Sequence, residues 1–288
     1  MKAISPMHTC SIGMQAGKIC TSAAIAALLS GCVQSTLQQG GTLSSYSNLK
    51  SDHGLVTKTM YYADKQGLAR AHTVRIEPTS IGLGSAKSIG RPQDLRLVAN
   101  AIDRALCTGL SDHFVLVSGD TPADITVHAT TTNIRPTNAT ISGISTVASI
   151  GASAVTPVPV PRIPLGLGEL SVEAEAKDNT GNQVAALVWS RGANIITEQA
   201  RMSQVGDAYS LASDFGDDFS VMLNRGGSPM NSEWIASGQK LKFMLGGKPK
   251  YVACEAFGRA PGVAGFVEGQ LGMPPQWADR SAAASKGI

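Results

Sequence analysis

The sequence predicts an α+β fold in which a mainly antiparallel sheet of about five strands carries two helices on one face. Two amphipathic stretches with apolar residues at helical spacing predict the helices, at 92–109 and 208–222. The predicted strands are not regularly separated by helices, which favours antiparallel pairing over a wound parallel sheet. A long Gly- and Pro-rich insertion and an irregular C-terminal wrap complete the expected architecture.

Five short stretches predict the strands, because each alternates apolar and polar residues or forms a compact apolar run. They are 73–77, 113–117, 125–130, 170–177 and 184–189. The last two are joined by Asp178-Asn179-Thr180-Gly181, which is typical of a hairpin turn. Within 170–177 we expect Glu173 and Glu175 to face solvent, opposite the apolar row that faces the helices.

Both predicted helices have suitable ends: Pro92 fits the first turn of one, Gly109 fits its end, and Gly226 closes the other. Aspartates recur along the second helix, at Asp207, Asp214, Asp217 and Asp218. Asp207 lies near the start, where an acidic side chain suits the helix dipole, and we expect Asp217 and Asp218 to face solvent. The spacing of a calcium-binding loop is absent, so no metal site is predicted.

The start of the chain has the form of a secretory signal. Residues 19–31 are uncharged and follow Lys18, and the run is shorter than the roughly 20 residues of a membrane-spanning helix. It ends in Leu29-Ser30-Gly31-Cys32, which resembles the bacterial lipobox. That resemblance implies cleavage between Gly31 and Cys32 and a lipid on the Cys32 thiol. The alternative is a plain amino-terminal helix with a buried cysteine.

Two further features concern the leader. Either Met1 or Met14 can be the start of translation, because 14–18 already forms a compact charged start. The residue after the cysteine is Val33 rather than Asp, and by resemblance to enterobacterial sorting this implies the outer membrane. We therefore expect a cell-envelope protein that is lipid-anchored in the outer membrane and faces the periplasm.

The composition of the chain predicts four regions. They are a signal peptide at 1–31, a flexible tether at 32–51, an α/β domain at 52–226 and a C-terminal extension at 227–288. Leu43, Tyr46 and Leu49 recur at every third residue within the tether and predict a first docking turn.

An insertion at 137–168 interrupts the domain. It contains a single charged residue, Arg162, and its second half is rich in proline. Long connections of this kind are often functional. We expect the segment to project from the surface and to contact the membrane, an envelope protein or a second copy of this chain.

The cysteines predict a covalent link. After removal of the leader, Cys107 and Cys254 are the cysteines that accompany Cys32, and an exported chain meets an oxidising space. A disulfide between them is expected, and two buried free thiols are the alternative. In the extension, we expect Trp234, Phe257 and Trp277 to act as aromatic anchors.

The sequence offers no constellation for catalysis. The histidines lack metal-ligand spacing, no G-x-S-x-G occurs, and neither glycine-rich stretch, 81–85 or 165–168, has the phosphate-binding pattern before a helix. His128 is expected at the surface or rim of the sheet. We therefore expect no enzyme activity and no cofactor. The 24 basic and 21 acidic residues are too evenly balanced for a nucleic-acid partner.

Several stretches resemble one family. They are GTLSSYSNLK, PQDLRLVANAIDRAL, ADITVHATTTNIRP, GELSVEAEAKDNTGNQVAALVWSRG and GDAYSLASDFGDDFS, in that order. Together they resemble a bacterial lipoprotein family of unknown function, domain-of-unknown-function family 3313, over roughly residues 40–226. The motifs are scaffold motifs and imply no reaction. The order of helices and strands is also similar to periplasmic domains of curli-channel-type lipoproteins.

These features give a leading functional expectation and two alternatives. The first is a non-enzymatic, lipid-anchored accessory or assembly module on the periplasmic side of the outer membrane. The second is an oligomeric subunit of a secretion or export pore, as the curli-channel resemblance implies. The third, an envelope hydrolase, is disfavoured by the missing nucleophile set.

Overall fold

A mixed sheet is the central element of the computed structural model, which describes residues 37–138, 140, 166–194, 201–230, 241–242 and 245–279. Within those residues the sheet has eight strands. They are β1 Lys50–His53, β2 Thr57–Ala63, β3 Thr73–Ile76, β4 Ser80–Ile81, β5 Val115–Val117, β6 Ile125–Arg135, β7 Glu169–Asp178 and β8 Gln183–Gly192. The helices are α1 Lys65–Arg70, α2 Leu83–Ser88, α3 Pro92–Leu110, α4 Gly206–Arg225, α5 Gly262–Gln270 and α6 Pro275–Ala278, with a 3-10 helix at Val252–Phe257.

The order across the sheet is β1-β2-β8-β7-β6-β3-β5, and β4 also pairs with β6. Pairing is antiparallel from β1 to β6, whereas β3 is parallel to β5 and β6, and β4 is parallel to β6. The α+β class is confirmed, but the expected antiparallel sheet of about five strands is wrong in detail. The sequence pattern missed β1, β2 and β4: β1 is polar, β4 has two residues, and β2 buries threonines at Thr57 and Thr59.

The two predicted helices are present with nearly the predicted bounds, and they form the main core on one face of the sheet. Trp189 of β8 meets Phe215 edge to face at 5.6 Å, and Phe215 stacks with Phe219. α3 and α4 approach closely, because a Cβ on Gly216 would lie 2.4 Å from Ala105 and a Cβ on Gly109 would lie 2.3 Å from the Ser220 hydroxyl. Gly226 adopts the left-handed conformation that ends α4, as expected from its lack of a side chain.

The opposite face of the sheet carries a second, smaller apolar cluster. Leu43 packs there with Ala186 and Val188 of β8, and partly buried residues surround them: Leu37, Tyr46, Leu49, Met60 and Tyr62. The docking turn predicted from Leu43, Tyr46 and Leu49 is confirmed. Residues 37–51, the described part of the predicted tether, therefore pack on the sheet or belong to it.

The β7–β8 hairpin has the predicted turn. The Asp178 carboxylate accepts hydrogen bonds from the amides of Thr180 (2.9 Å) and Asn182 (2.8 Å), and Gly181 has a positive φ of 86°. None of the helices in the described ranges has both the length and the hydropathy needed to cross a membrane.

Candidate functional site

The candidate site is built around a row of acidic side chains on the outer face of β7. Glu173, which is 1% exposed, accepts hydrogen bonds from the amides of Gly40 (2.6 Å) and Thr42 (2.9 Å). It also accepts from the hydroxyls of Thr42 (2.5 Å) and Tyr46 (2.7 Å). The backbone of the N-terminal segment thus supplies the donors that a buried carboxylate requires.

Glu175 lies two residues further along the same face and has a similar environment. It accepts from the Ser44 amide (2.9 Å), the Ser44 hydroxyl (2.6 Å) and the Gln183 amide group (2.8 Å), and Lys177 Nζ lies 2.7 Å away. Burial acts to raise the pKa of Glu175, but the hydrogen bonds from Lys177, Ser44 and Gln183 outweigh it and lower the pKa to about 2. The carboxylate is therefore charged at neutral pH.

The expectation that Glu173 and Glu175 face solvent is wrong. Their alternation along β7 is as predicted, but the face on which they lie is covered by residues 40–46. Alternation within one strand reveals which side chains share a face and gives no information about a segment about 130 residues away that covers it. The available signal in the sequence was the hydroxyl donors Thr42, Ser44 and Ser45 in one segment and the alternating acceptors Glu173 and Glu175 in another.

A cavity of about 400 Å³ lies at the end of this acidic row. Its lining includes Gln38, Gly40, Asn133, Arg135 and Glu169. Glu169 pairs with Arg135 and accepts a hydrogen bond from the Ser190 hydroxyl at 2.9 Å. The Nε atom of Arg135 is buried with no hydrogen-bond partner in the described structure. The wall of the cavity is mixed polar and apolar and is formed partly by the incoming N-terminal segment.

The ends of the predicted insertion meet next to this cavity. The Asn138 amide donates to the Gly166 carbonyl (2.9 Å), and the Thr137 amide donates to the Gln204 carbonyl (2.8 Å). The Gly168 amide donates to Asp207 Oδ2 at 2.7 Å. The predicted bounds of 137–168 are thus too wide, because both end residues are buried parts of the domain. Residues 139 and 141–165 lie outside the described residues.

The cavity, the ends of the insertion and the start of α4 lie at the same end of the domain. Gln38 and Gly40 share the cavity with Arg135 and Pro136, and the next residue, Thr137, is bonded to Gln204 just before α4. The entry of the N-terminal segment, the stem of the insertion and the start of α4 are therefore neighbours. We call this region the entry end of the domain.

The family model described as a protein of unknown function (DUF3313) matches residues 38–219. This chain belongs to the DUF3313 family. The matched region begins in the docked N-terminal segment and ends within α4, so it contains the sheet, the acidic row and the stem of the insertion. The C-terminal extension lies outside the part that matches DUF3313.

Among solved structures, the PelC dodecamer from Paraburkholderia phytofirmans is similar at 11% identity and a TM-score of 0.34, covering 62% of this chain and 99% of that one. A point-substituted PelC dodecamer from the same organism gives 10% identity and a TM-score of 0.31, with coverages of 62% and 96%. Likeness at this level does not bear on the function of the DUF3313 protein. No curated protein sequence matches.

The C-terminal extension is attached to the helical face of the DUF3313 domain. The structure has a disulfide between Cys107 of α3 and Cys254 of the 3-10 helix, with Cα atoms 5.8 Å apart. Arg104 forms a buried ion pair with Asp279 and donates to the Phe257 carbonyl at 3.2 Å. The described part of the predicted wrap includes the 3-10 helix, α5 and α6.

The three aromatic anchors predicted for the extension have different outcomes. Phe257 is buried as expected. Trp277 is 67% exposed, so its role as an anchor is wrong: α6 is instead held by Gln276, which donates to Asp94 (2.8 Å) and Ser203 (2.9 Å). Trp234 lies outside the described residues.

The remaining predicted residues have structural roles or are not described. His128 is partly exposed and lies 3.0 Å from Glu77, as expected for a rim position. Asp218 was expected to face solvent, but its carboxylate accepts a hydrogen bond from Trp189 Nε1 at 2.8 Å, and burial raises its pKa to about 7. Within the described ranges, no group of three or more His, Cys, Asp and Glu side chains is arranged to hold a metal ion. Gly31 and Cys32 lie outside those ranges.

Proposed function

We propose that this DUF3313 protein is a lipid-anchored lipoprotein of the bacterial cell envelope, acylated at Cys32 after cleavage behind Gly31. It acts as an accessory or assembly module on the periplasmic side of the outer membrane. The observation that carries the proposal is Leu29-Ser30-Gly31-Cys32 at the end of an uncharged run. The docked N-terminal segment, in which residues 40–46 donate hydrogen bonds to the buried Glu173 and Glu175, adds where the domain lies relative to that lipid.

This docking determines how far the domain can lie from the lipid. Five peptide units separate Cys32 from Leu37, and an extended chain spans at most about 3.6 Å per residue. A lipid on Cys32 would therefore hold the entry end within about 18 Å of the bilayer surface. A free tether over the whole of 32–51 would allow several times that distance, so the docked segment supports a protein that works close to the membrane.

The proposed role is non-enzymatic. The reactive group that the proposal assigns is the Cys32 thiol, which the lipid consumes, and the acidic row is used to bind the N-terminal segment. Residues 139–165 contribute the contact with an envelope protein or with a second copy of this chain. The hydrogen bond between Asn138 and Gly166 closes the base of this segment, so the segment can differ in sequence and partner without changing the sheet.

Metabolic labelling with a fatty acid, followed by membrane fractionation, tests the proposal. We expect the wild-type protein to take the label and to sediment with the outer membrane, and a Cys32→Ser variant to take no label and to remain a precursor or become soluble. A variant with both Cys107→Ser and Cys254→Ser is the matched control, and it should take the label normally. Label on the Cys32→Ser protein would reject the proposal.

A further inference from the structure

The C-terminal extension exposes a group of large apolar side chains, which we call the α5–α6 surface. Its members are Met202, Val263, Phe266, Val267, Leu271 and Trp277, each at least two-fifths exposed. Exposed apolar residues scattered singly are common, but six large ones on or directly after α5, on α6 and at Met202, which is hydrogen-bonded directly after α5, indicate an interaction site.

The packing of α5 explains why these side chains point outward. Gly262, Gly265 and Gly269 are its buried residues, and a Cβ on Gly265 would lie 2.2 Å from Pro261 and 3.3 Å from Ala278 of α6. The glycine face thus packs inward at close range. The larger side chains, including Phe266 at 60% exposed, are left on the outer face. α5 therefore differs from a core helix, because its glycines face inward and its bulky apolar side chains are exposed.

The α5–α6 surface carries very little charge. Residues 260–278 contain one ionisable side chain, Glu268, which is half-buried and interacts electrostatically with Arg201. At the rim, the largely exposed Arg91 pairs with Asp94, which accepts the hydrogen bond from Gln276 of α6. An uncharged face with Phe, Leu, Val and Trp has the composition of a surface that enters the membrane interface, where Trp is enriched.

The surface also lies at the entry end of the domain. The Met202 amide donates to the Gly272 carbonyl at 2.8 Å, just after α5. Ser203 accepts from Gln276 of α6, and the neighbouring Gln204 accepts from Thr137 beside the cavity that Gln38 and Gly40 line. A continuous series of contacts therefore joins the α5–α6 surface to the point where the N-terminal segment enters the domain.

We infer that the α5–α6 surface is a second membrane contact, which seats Phe266, Leu271 and Trp277 in the interfacial region of the bilayer beside the acylated Cys32. This inference rests on the proposed lipid anchor, which brings a bilayer within about 18 Å of the entry end. The lipid on Cys32 attaches the chain to the membrane at one point, and an added apolar contact orients the domain on that membrane. The domain is then fixed in one orientation on the membrane.

Fluorescence quenching of Trp277 tests this orientation. The acylated full-length protein is purified in detergent and reconstituted into phosphatidylethanolamine–phosphatidylglycerol vesicles that contain brominated lipids. The Trp277 signal is the difference between the wild-type and Trp277→Phe proteins. We expect this signal to shift to shorter wavelength and to lose most of its intensity, and to be protected from the aqueous quencher acrylamide. A Trp277 signal that acrylamide quenches freely and brominated lipid does not would overturn the inference.

A probe at the opposite end of α3 is the matched control. Val252 is 80% exposed, and it lies two residues from Cys254, which is bonded to Cys107 near the C-terminal end of α3. In a Trp277→Phe background, a Val252→Trp probe should remain accessible to acrylamide and unaffected by brominated lipid. Equal quenching of both probes would also overturn the inference, since it would show general adsorption.

Failure of the anchor and failure of the surface give different results. Mass spectrometry of the same preparation shows whether Cys32 carries lipid. If it does not, the proposed function fails, and the unacylated protein mixed with the same vesicles tests the surface directly. We expect the double variant Phe266→Ser with Val267→Ser to bind these vesicles at least about tenfold more weakly, and this loss would support the membrane contact. Protection of Trp277 without vesicles, with a concentration-dependent change in size, would identify it as a subunit interface and overturn the inference.

Discussion

The N-terminal segment packs on the outer face of the central sheet, and the C-terminal extension packs on the helices of the opposite face. The two segments are held by different interactions. Residues 40–46 are held by hydrogen bonds to Glu173 and Glu175, together with a small apolar cluster. The extension is held by a disulfide and by the buried Arg104–Asp279 ion pair. The first attachment is noncovalent and includes the ionised Glu175 carboxylate, and the second is covalent at one point.

This difference indicates how each segment can respond to conditions. The attachment of the N-terminal segment, which leads to the proposed lipid, should weaken in acid and tolerate reduction. The attachment of the extension, which carries the α5–α6 surface, should weaken on reduction. Five predictions, from the largest expected effect to the smallest, test this contrast.

Breaking the buried ion pair should have the largest effect. We expect Asp279→Ala to lower the free energy of unfolding by about 3–5 kcal/mol, because Arg104 keeps its charge in a buried site. Chemical denaturation measures the loss. The double change Arg104→Met with Asp279→Leu is the control and should recover most of the stability. A loss below about 1 kcal/mol for Asp279→Ala would contradict a buried pair.

Removal of the disulfide should come next. Cys107 and Cys254 are separated by 147 residues, and a bridge across a long loop contributes about 2–4 kcal/mol. Cys107→Ser with Cys254→Ser should lower the midpoint of thermal unfolding, and hydrogen exchange should rise in 245–279 and remain low in 40–46. Two free thiols on the unfolded, unreduced wild-type protein would show that the cysteines are not paired.

Glu173→Ala should lower the free energy of unfolding by about 2 kcal/mol, because the amides of Gly40 and Thr42 and the hydroxyls of Thr42 and Tyr46 lose their acceptor. Hydrogen exchange should rise in 40–46 and leave 245–279 unchanged. Glu77→Ala, at an exposed glutamate paired with His128, is the matched control and should cost less than about 1 kcal/mol. Equal effects of the two substitutions would argue against the docked segment.

Low pH should have a smaller effect on the attachment of the N-terminal segment. The pKa of Glu175 is lowered from 4.5 to about 2 by its hydrogen bonds, so its charge stabilises the folded protein above pH 4.5, and this contribution is lost as the pH falls toward 2. Exchange at 40–46 should therefore increase over that range in the wild type, and the increase should be smaller in Glu175→Gln. The pH dependence of hydrogen exchange in 245–279 should be the same in the wild type and in Glu175→Gln. A difference between the two proteins in that region would show that the two attachments are coupled.

Shortening the insertion should have the smallest effect. Replacing 139–165 with a short Gly/Ser linker leaves the Asn138–Gly166 stem and should change the free energy of unfolding by about 1 kcal/mol or less. We expect partner binding or self-association, measured by sizing and crosslinking, to be lost. Loss of the cooperative transition would show that the segment belongs to the core, and unchanged assembly would show that it is a spacer.

The local sequence pattern was sufficient to predict a substantial part of the secondary structure of this protein. The spacing of apolar residues predicted α3 and α4, alternation or a short apolar run predicted five of the strands, and Asp178 to Gly181 predicted the hairpin turn. These succeed because each depends on interactions between residues close in sequence. The lipobox at Leu29 to Cys32 is likewise read from adjacent residues, and its function stays a prediction.

What the sequence alone determined is the set of local elements and the faces that their side chains share. The tertiary structure decided what covers each face. It placed 40–46 over Glu173 and Glu175, paired β3 and β4 in parallel with β6, and left Trp277 exposed while burying Phe257. It also closed the insertion at Asn138 and Gly166. Each of these outcomes depends on a contact between segments far apart in the chain, and the periodicity of a single segment carries no information about its distant neighbour.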